Sequence, residues 1–354
     1  MKVKTGKLKE ISNKVGRLIG SNSVMDICNY LELIYTDGQL ILTATDKTRA
    51  ITGSVDVEEQ EAKEFEVVVE GQKFVSLVRN TNTSEITLSP KESYFGFKGN
   101  GKYKLNYYTG DFFSYSVNPD DVINLEAKSL INMINRHDDT VSNKIDVMSG
   151  YYLDNEYLIT LDGQKMALTE HDLFDEDLSL LIPEELATML PLFEKDGNIQ
   201  LMMDDKKLLF ATDSLTIYGG QLFGIKEFPD ISNFKGVEYE NWAEIKSSIL
   251  EAVLKRVELF TEEESDYGIL VKLVDGELII RDAKEASTET LDIENGEGEF
   301  ETYLTLPHLK LFLKNLKTYS IRLGYEEGQP ALRVSDGSSD GLDTNYFSAV
   351  LIEI

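Results

Sequence analysis

The residues of this 354-residue chain that could do covalent or metal chemistry are few and scattered. Of three histidines, His137 and His171 fall in the middle third and His308 in the last, and only His171 has a carboxylate on both sides, Glu170 and Asp172. Metal sites need several convergent ligands, and this grouping supplies too few. The single cysteine, Cys28, permits no internal disulfide. No glycine-rich phosphate loop and no Cys-His pairing occurs. The paired acids Glu184-Glu185 and the run Glu262 to Glu264 read as solvated helix ends or loops. One enzyme reading stays open, a hydrolase using Asp162 and His171 as acid and base. No catalytic residue, metal or cofactor is assigned.

Lysine and arginine offer a different chemistry, the binding of a polyanion. Lys7, Lys14 and Arg17 share one stripe of a helix expected over 7–20, whose other stripe is Leu8, Ile11, Val15, Leu18 and Ile19. Lys310, Lys314 and Lys317 recur in the same way on a helix over 306–319 that starts behind Thr305, and Lys73, Arg79 and Arg136 lie in helices over 70–82 and 125–140. With further helices over 183–195 and 242–260, the helical windows together hold more Lys and Arg than Asp and Glu. The rest of the chain therefore carries the whole acidic excess behind a net charge of −28. Lys and Arg are good helix formers on any solvated face, which is the plainer explanation of one basic helix. Taken together, the windows favour a helix-built surface that meets a polyanion, flanked by acidic surface that repels it. An acidic mimic of DNA is the competing reading, permitted by the net charge and opposed by the basic helices.

The elements that must position these residues repeat along the chain. Asp154 to Leu168 runs from one tight turn through Tyr157, Leu158, Ile159 and Thr160 to a second turn at Asp162-Gly163. Related stretches run from Tyr35 to Ala50 and from Leu273 to Thr288, so that Asp37, Asp154 and Asp275 fall nearly one third of the chain apart. Each third reads as helix, strands, helix, strands, an α+β unit with mostly antiparallel pairing. This divides the chain into domains over 1–120, 121–236 and 237–354, with 110–121 as a linker. Hydrophobic content of 42% with 10% aromatics suits a packed protein. No stretch approaches about 18 consecutive apolar residues, and the first residues lack a signal-peptide apolar region, so a cytoplasmic protein without membrane contact is expected.

With this register in place, ATDKTRA (Ala44 to Ala50), LDGQKMAL (Leu161 to Leu168), IKEFPDISNF (Ile225 to Phe234) and LKRVELF (Leu254 to Phe260) resemble the bacterial-type DNA polymerase sliding clamp, the polymerase III β-subunit family. The resemblance spans the chain, and the shared register carries it more than any single motif. It implies a DNA-clamp fold: three repeated domains, each with two inner helices and outer antiparallel sheets. It further implies a homodimeric head-to-tail ring around duplex DNA, a processivity factor that tethers a DNA polymerase and is placed by a clamp loader. The chain departs from the family where His-Arg gives way to Gln164-Lys165, where Glu184 and Glu185 follow Pro183, and where Met-Pro-Met becomes Val350-Leu351-Ile352. Such drift points to a divergent member, with a viral origin among the readings it allows.

Carried over position by position, the resemblance implies a partner-peptide pocket made of Leu161, Gly163, Lys165, Met166, Pro229, Phe234, Val350, Leu351 and Ile352. For these residues taken without the family, simple joining of two domains is the plainer explanation. The family also implies sequence-independent phosphate contacts from the lysines and arginines named above. The ring interface would use Leu259 and Phe260. It would set Lys98, Lys102 and Lys104 against Glu289, Asp292, Glu294, Glu297 and Glu299, since opposite charge favours head-to-tail pairing.

Overall fold

The structure, a computed structural model, describes residues 1–20, 26–57, 63–117, 122–142, 148–173, 178–204, 206–220, 228–261, 268–336 and 344–349. The first third contains β1 (Lys2–Lys4), α1 (Thr5–Val15), β2 (Tyr30–Thr36), β3 (Gln39–Thr45), β4 (Ala50–Asp56), β5 (Phe65–Glu70), α2 (Gly71–Arg79), β6 (Glu85–Pro90), β7 (Phe95–Lys98), β8 (Lys102–Leu105) and β9 (Tyr107–Tyr108). The second contains β10 (Val122–Glu126), α3 (Ala127–Arg136), β11 (Gly150–Leu153), β12 (Tyr157–Leu161), β13 (Lys165–Glu170), β14 (Leu180–Pro183), α4 (Glu184–Ala187), β15 (Asn198–Asp204), β16 (Lys207–Ala211) and β17 (Leu215–Gly220). The third contains β18 (Trp242–Lys246), α5 (Ser247–Val257), β19 (Gly268–Val274), β20 (Glu277–Asp282), β21 (Thr288–Asp292), β22 (Asn295–Glu297), β23 (Phe300–Thr305), α6 (Leu306–Leu316), β24 (Ser320–Gly324), β25 (Ala331–Asp336) and β26 (Thr344–Ala349). The expected α+β class with antiparallel sheets is what the chain forms.

The chain divides into two compact units, residues 1–128 with 188–221 and residues 129–187 with 222–354, so the middle third contributes to both. The first unit holds a four-stranded sheet, β1-β6-β7-β8, and a nine-stranded one, β10-β15-β16-β17-β4-β3-β2-β5-β9. The second unit repeats the plan with a nine-stranded sheet, β14-β11-β12-β13-β26-β25-β24-β18-β22, and a four-stranded sheet, β21-β20-β19-β23. Each nine-stranded sheet has a seam where strands from successive thirds pair, β17 with β4 and β13 with β26.

Apolar spacing places the helices. In α6, Leu309, Phe312, Leu313 and Leu316 are buried and pack with Leu250, Val253, Leu254 and Val257 of α5 over strand residues such as Ile269, Val271 and Ile280. In the first unit α1 lies close to β4, and the missing side chain of Gly53 makes that approach possible. A Cβ there would stand 2.5 Å from Ile11.

Several elements differ from the sequence reading. Leu125 and Glu126, expected to open a helix, end the strand Val122–Glu126, and Trp242–Lys246 is a strand, not the start of a helix. In β18 the buried residues, Ala243 and Ile245, alternate with half-buried ones, and this two-residue period runs directly into the helical period of α5. The helix behind Pro183 is a single turn, Glu184–Ala187, followed by a 3₁₀ turn at Leu190–Leu192 that contains Pro191, a residue without the N–H a longer helix would use. Thr305 occupies the N-cap position of α6 but makes no side-chain capping bond. Basic charge is also uneven: α4 carries Glu184 and Glu185 in its first turn.

Candidate functional site

The β12–β13 hairpin of the second unit is shaped by Asp162. Its Oδ1 accepts from the backbone N–H groups of Gln164 (2.9 Å) and Lys165 (2.8 Å), closing a turn in which Gly163 adopts φ 92°. Oδ2 pairs with the Lys165 ammonium. Burial pushes the Asp162 carboxyl up, but the bonds from the Lys165 side chain and the two backbone N–H groups outweigh it and hold the group below its ordinary value. Beyond the turn, Met166 lies opposite Phe347 in the β13–β26 register, and Ala349 donates its N–H to the Gln164 carbonyl at 2.7 Å.

A segment over 228–235 runs beside this hairpin. Lys235 anchors it through Asp154 (3.0 Å) and sits 4.7 Å from the centre of the Tyr157 ring. Phe228 stacks on Tyr152 at 4.5 Å, and Phe234 meets Phe347 edge-on at 5.1 Å. Hairpin, segment and seam enclose a cavity of about 240 Å³ lined by Leu161, Gly163, Lys165, Met166, Pro229 and Phe234. These six come from the expected set. Val350, Leu351 and Ile352 lie outside the described residues. Ile231, Pro330, Ala331, Phe347 and Ala349 also line the cavity and were not expected. Ile231 sits inside the IKEFPDISNF motif and Phe347 inside the C-terminal strand, so both were within reach of the sequence; Pro330 and Ala331 carried no signal. Chemically the cavity is an apolar cleft whose cation, Lys165, is already neutralised by Asp162, which suits a hydrophobic side chain on an extended segment.

The basic helical residues fall into two groups. Lys7, Arg17, Lys73, Arg79, Lys314 and Lys317 are exposed, while Lys14 and Lys310 are half-buried. Arg136 is corrected: it is 9% exposed, 3.6 Å from Asp336, and donates to Thr344 Oγ1 at 3.2 Å. Beside it, the Tyr346 hydroxyl donates to the Arg136 carbonyl. This guanidinium ties the end of α3 to β25 and β26 and is not a surface phosphate contact. Next to it His137 is fully buried between Thr160 (2.9 Å) and Thr169 (2.8 Å). Burial and the nearby Arg136 charge depress it to about 3, so it is neutral at physiological pH.

The residues expected at a subunit contact are partly brought together. Lys102 and Lys104 lie on β8, an edge strand of the first unit's four-stranded sheet, and Lys104 packs over Tyr94 at 4.7 Å. In the second unit Glu289 and Asp292 lie on edge strand β21, and Leu259 and Phe260 are exposed at 80% and 49% beyond α5. Glu297 belongs instead to β22 and pairs with β18 in the nine-stranded sheet, with Glu299 just beyond it. The acidic set is therefore split between two sheets.

The hydrolase pair does not assemble. Asp162 sits at the turn of the β12–β13 hairpin, whereas His171 follows β13 at its far end and donates its N–H to Glu156, about 20 Å of strand away. No helix among the described residues is long and apolar enough to cross a membrane.

Across nearly its whole length the chain has the fold of a DNA polymerase sliding clamp. It superposes on the DNA polymerase III β subunit from Pseudomonas aeruginosa with a TM-score of 0.88 over 99% of both chains at 18% identity. Residues 1–117 match the family described as DNA polymerase III beta subunit, N-terminal domain. In sequence the chain is 21% identical to the beta sliding clamp of Chlamydia pneumoniae over 99% of this chain and 96% of that one. It is 23% identical to the beta sliding clamp of Staphylococcus epidermidis over 71% of each.

Proposed function

We propose that this protein is a sliding clamp, a non-enzymatic processivity factor built from three repeated domains, 1–120, 121–236 and 237–354. Two copies close head to tail into a ring around duplex DNA in the cytoplasm, a clamp loader places the ring, and the replicative polymerase is tethered to it. Edge strands β8 and β21 supply the closing contact, with Lys102 and Lys104 facing Glu289 and Asp292, and Leu259 and Phe260 buried by the partner copy. Exposed apolar side chains of that size favour this reading. Lys7, Lys14, Arg17, Lys73, Arg79, Lys310, Lys314 and Lys317 make loose phosphate contacts that carry no sequence information.

The observation that carries the proposal is the second-unit cavity, which gathers the hairpin, the 228–235 segment and the last described strand around one apolar cleft. A short extended peptide from the polymerase or the loader would set an apolar side chain there. Met166→Glu places a charge in that cleft. Affinity for a polymerase-derived peptide should drop by about a hundredfold, the cost of burying an unpaired carboxylate, with sedimentation of the dimer unchanged. Equal peptide affinity for the variant and wild type would move the partner site elsewhere.

A further inference from the structure

We propose that carboxylates of this chain serve as built-in counter-ions for the lysines assigned above to duplex DNA, so that each phosphate contact is an exchange of one oxyanion for another. The inference rests on that DNA reading and names what sets the strength of the grip.

Five of those lysines have a carboxylate in reach. Lys310 Nζ is 2.6 Å from Glu258, which lies in the turn after α5, and Lys314 Nζ is 3.2 Å from Asp139, which follows α3. Lys14 is 2.7 Å from Glu10 on the preceding turn of α1, and Lys73 is 2.5 Å from Glu70 at the start of α2. Lys7 reaches Asp56 of β4 at 3.3 Å. The partners come from neighbouring turns, from a different helix and from a strand, so no single rule of helix spacing produces the pattern. The groove between α5 and α6, about 440 Å³, shows it in small compass: Glu251, Lys255, Glu258, Lys310 and Lys314 rim it with mixed sign.

All five pairs are wholly or partly open to water, where an ion pair is weak and easily exchanged. A phosphate oxygen accepts from an ammonium in nearly the geometry of a carboxylate oxygen, so the lysine changes partner without a large movement. The released carboxylate stays beside the DNA backbone and repels it. Each such site therefore contributes little net charge to binding, and the protein can pass from one phosphate to the next without a deep minimum. A basic surface without these acids would hold DNA more tightly and slide more slowly.

The test uses the full-length protein and a short fluorescent duplex, with affinity measured by anisotropy over a series of salt concentrations. The isosteric pair Glu258→Gln with Asp139→Asn should raise affinity about two- to fivefold per carboxylate removed. It should also steepen the dependence of log affinity on log salt by about 0.9 per carboxylate. Glu277→Gln with Glu301→Gln makes the same change in net charge on β20 and β23 and should leave both quantities near wild type. If the helix-side pair shifts affinity and slope no more than this control, the counter-ion assignment fails while the DNA reading stands. If the wild type binds no duplex even at low salt, the DNA reading falls and takes the inference with it.

Discussion

The two nine-stranded sheets are built around the same seam, and the protein finishes each seam differently. In the first unit Asp46 Oδ1 accepts from the N–H groups of Thr48 (3.0 Å) and Arg49 (2.7 Å), and Lys47 adopts φ 75°. In the second, Asp162, Gly163, Gln164 and Lys165 repeat that turn. Across the seam Ala50 lies opposite Tyr218, as Met166 lies opposite Phe347. The first seam then receives Tyr115, stacked on Tyr218 at 4.7 Å with its hydroxyl donating to Thr52 at 2.8 Å, and Phe113 at 6.3 Å from the same ring. The second receives Phe234 edge-on, and a cavity remains beside it. One scaffold thus gives a seam covered by its own aromatic residues and a seam with room for a guest; the flanking segment, not the sheet, decides which.

The largest break in this likeness lies beneath the second seam. Arg136 and Asp336 form a buried pair there, joined through Thr344 to Thr169 at 2.9 Å and so to the His137 cluster. Removing one partner of a buried pair strands the other charge. Asp336→Ala should therefore lower unfolding free energy by about 3–5 kcal/mol, seen as a large fall in thermal midpoint. A loss below about 1 kcal/mol would mean that water already solvates Arg136.

How much of this was legible follows the reach of each interaction. The Asp162 turn could be read because an Asp side chain bonds to backbone two and three residues on, entirely within the motif. The cavity residues on the hairpin and in the 228–234 motif followed from the family register. Ala331 and Phe347 did not, because the pairing of β13 with β26 joins residues far apart in sequence. Arg136 misled for the same reason. A basic residue in a last helical turn ordinarily faces water and favours the helix dipole, but Asp336, two hundred residues later, draws it inside. Trp242–Lys246 misled because its strand alternation merges without a break into the helical pattern of α5.

A pH experiment sharpens the contrast from the first unit. Glu32 on β2 is 8% exposed, opposite Thr43, and burial, with the charge of Glu66 on β5, lifts its carboxyl to about 7 despite a hydrogen bond from Thr43. The folded state therefore favours the protonated form. Stability from this group is fully present below about 4.5 and is lost as pH rises through about 7. A tenfold change in proton affinity is worth about 1.4 kcal/mol, and after discounting for residual solvent roughly 2 kcal/mol is involved. Glu32→Gln should match wild type near pH 4.5 and exceed it by that amount at pH 8.5. Parallel stability curves for the two proteins across this range would show that Glu32 titrates as an ordinary surface carboxylate.

The smallest effect concerns the hydroxyl that distinguishes Tyr115 from a plain ring. Tyr115 donates to Thr52, Thr52 lies 3.2 Å from Thr43, and Thr43 bonds Glu32, so a line of hydroxyls crosses β4, β3 and β2 from the covering segment to the buried carboxylate. With Glu32 ionised every donor in that line can point toward it, which opposes the burial that raises its pKa. Tyr115→Phe keeps the stack on Tyr218 and removes one neutral hydrogen bond, so a loss of about 1 kcal/mol is expected. Because the missing donor weakens support for the charged carboxylate, the loss should be greater at pH 8.5 than at pH 4.5, and the midpoint of the Glu32 transition should move upward. A loss that is the same at both pH values would confine the Tyr115 hydroxyl to its own contact with Thr52 and cut the line before it reaches β2.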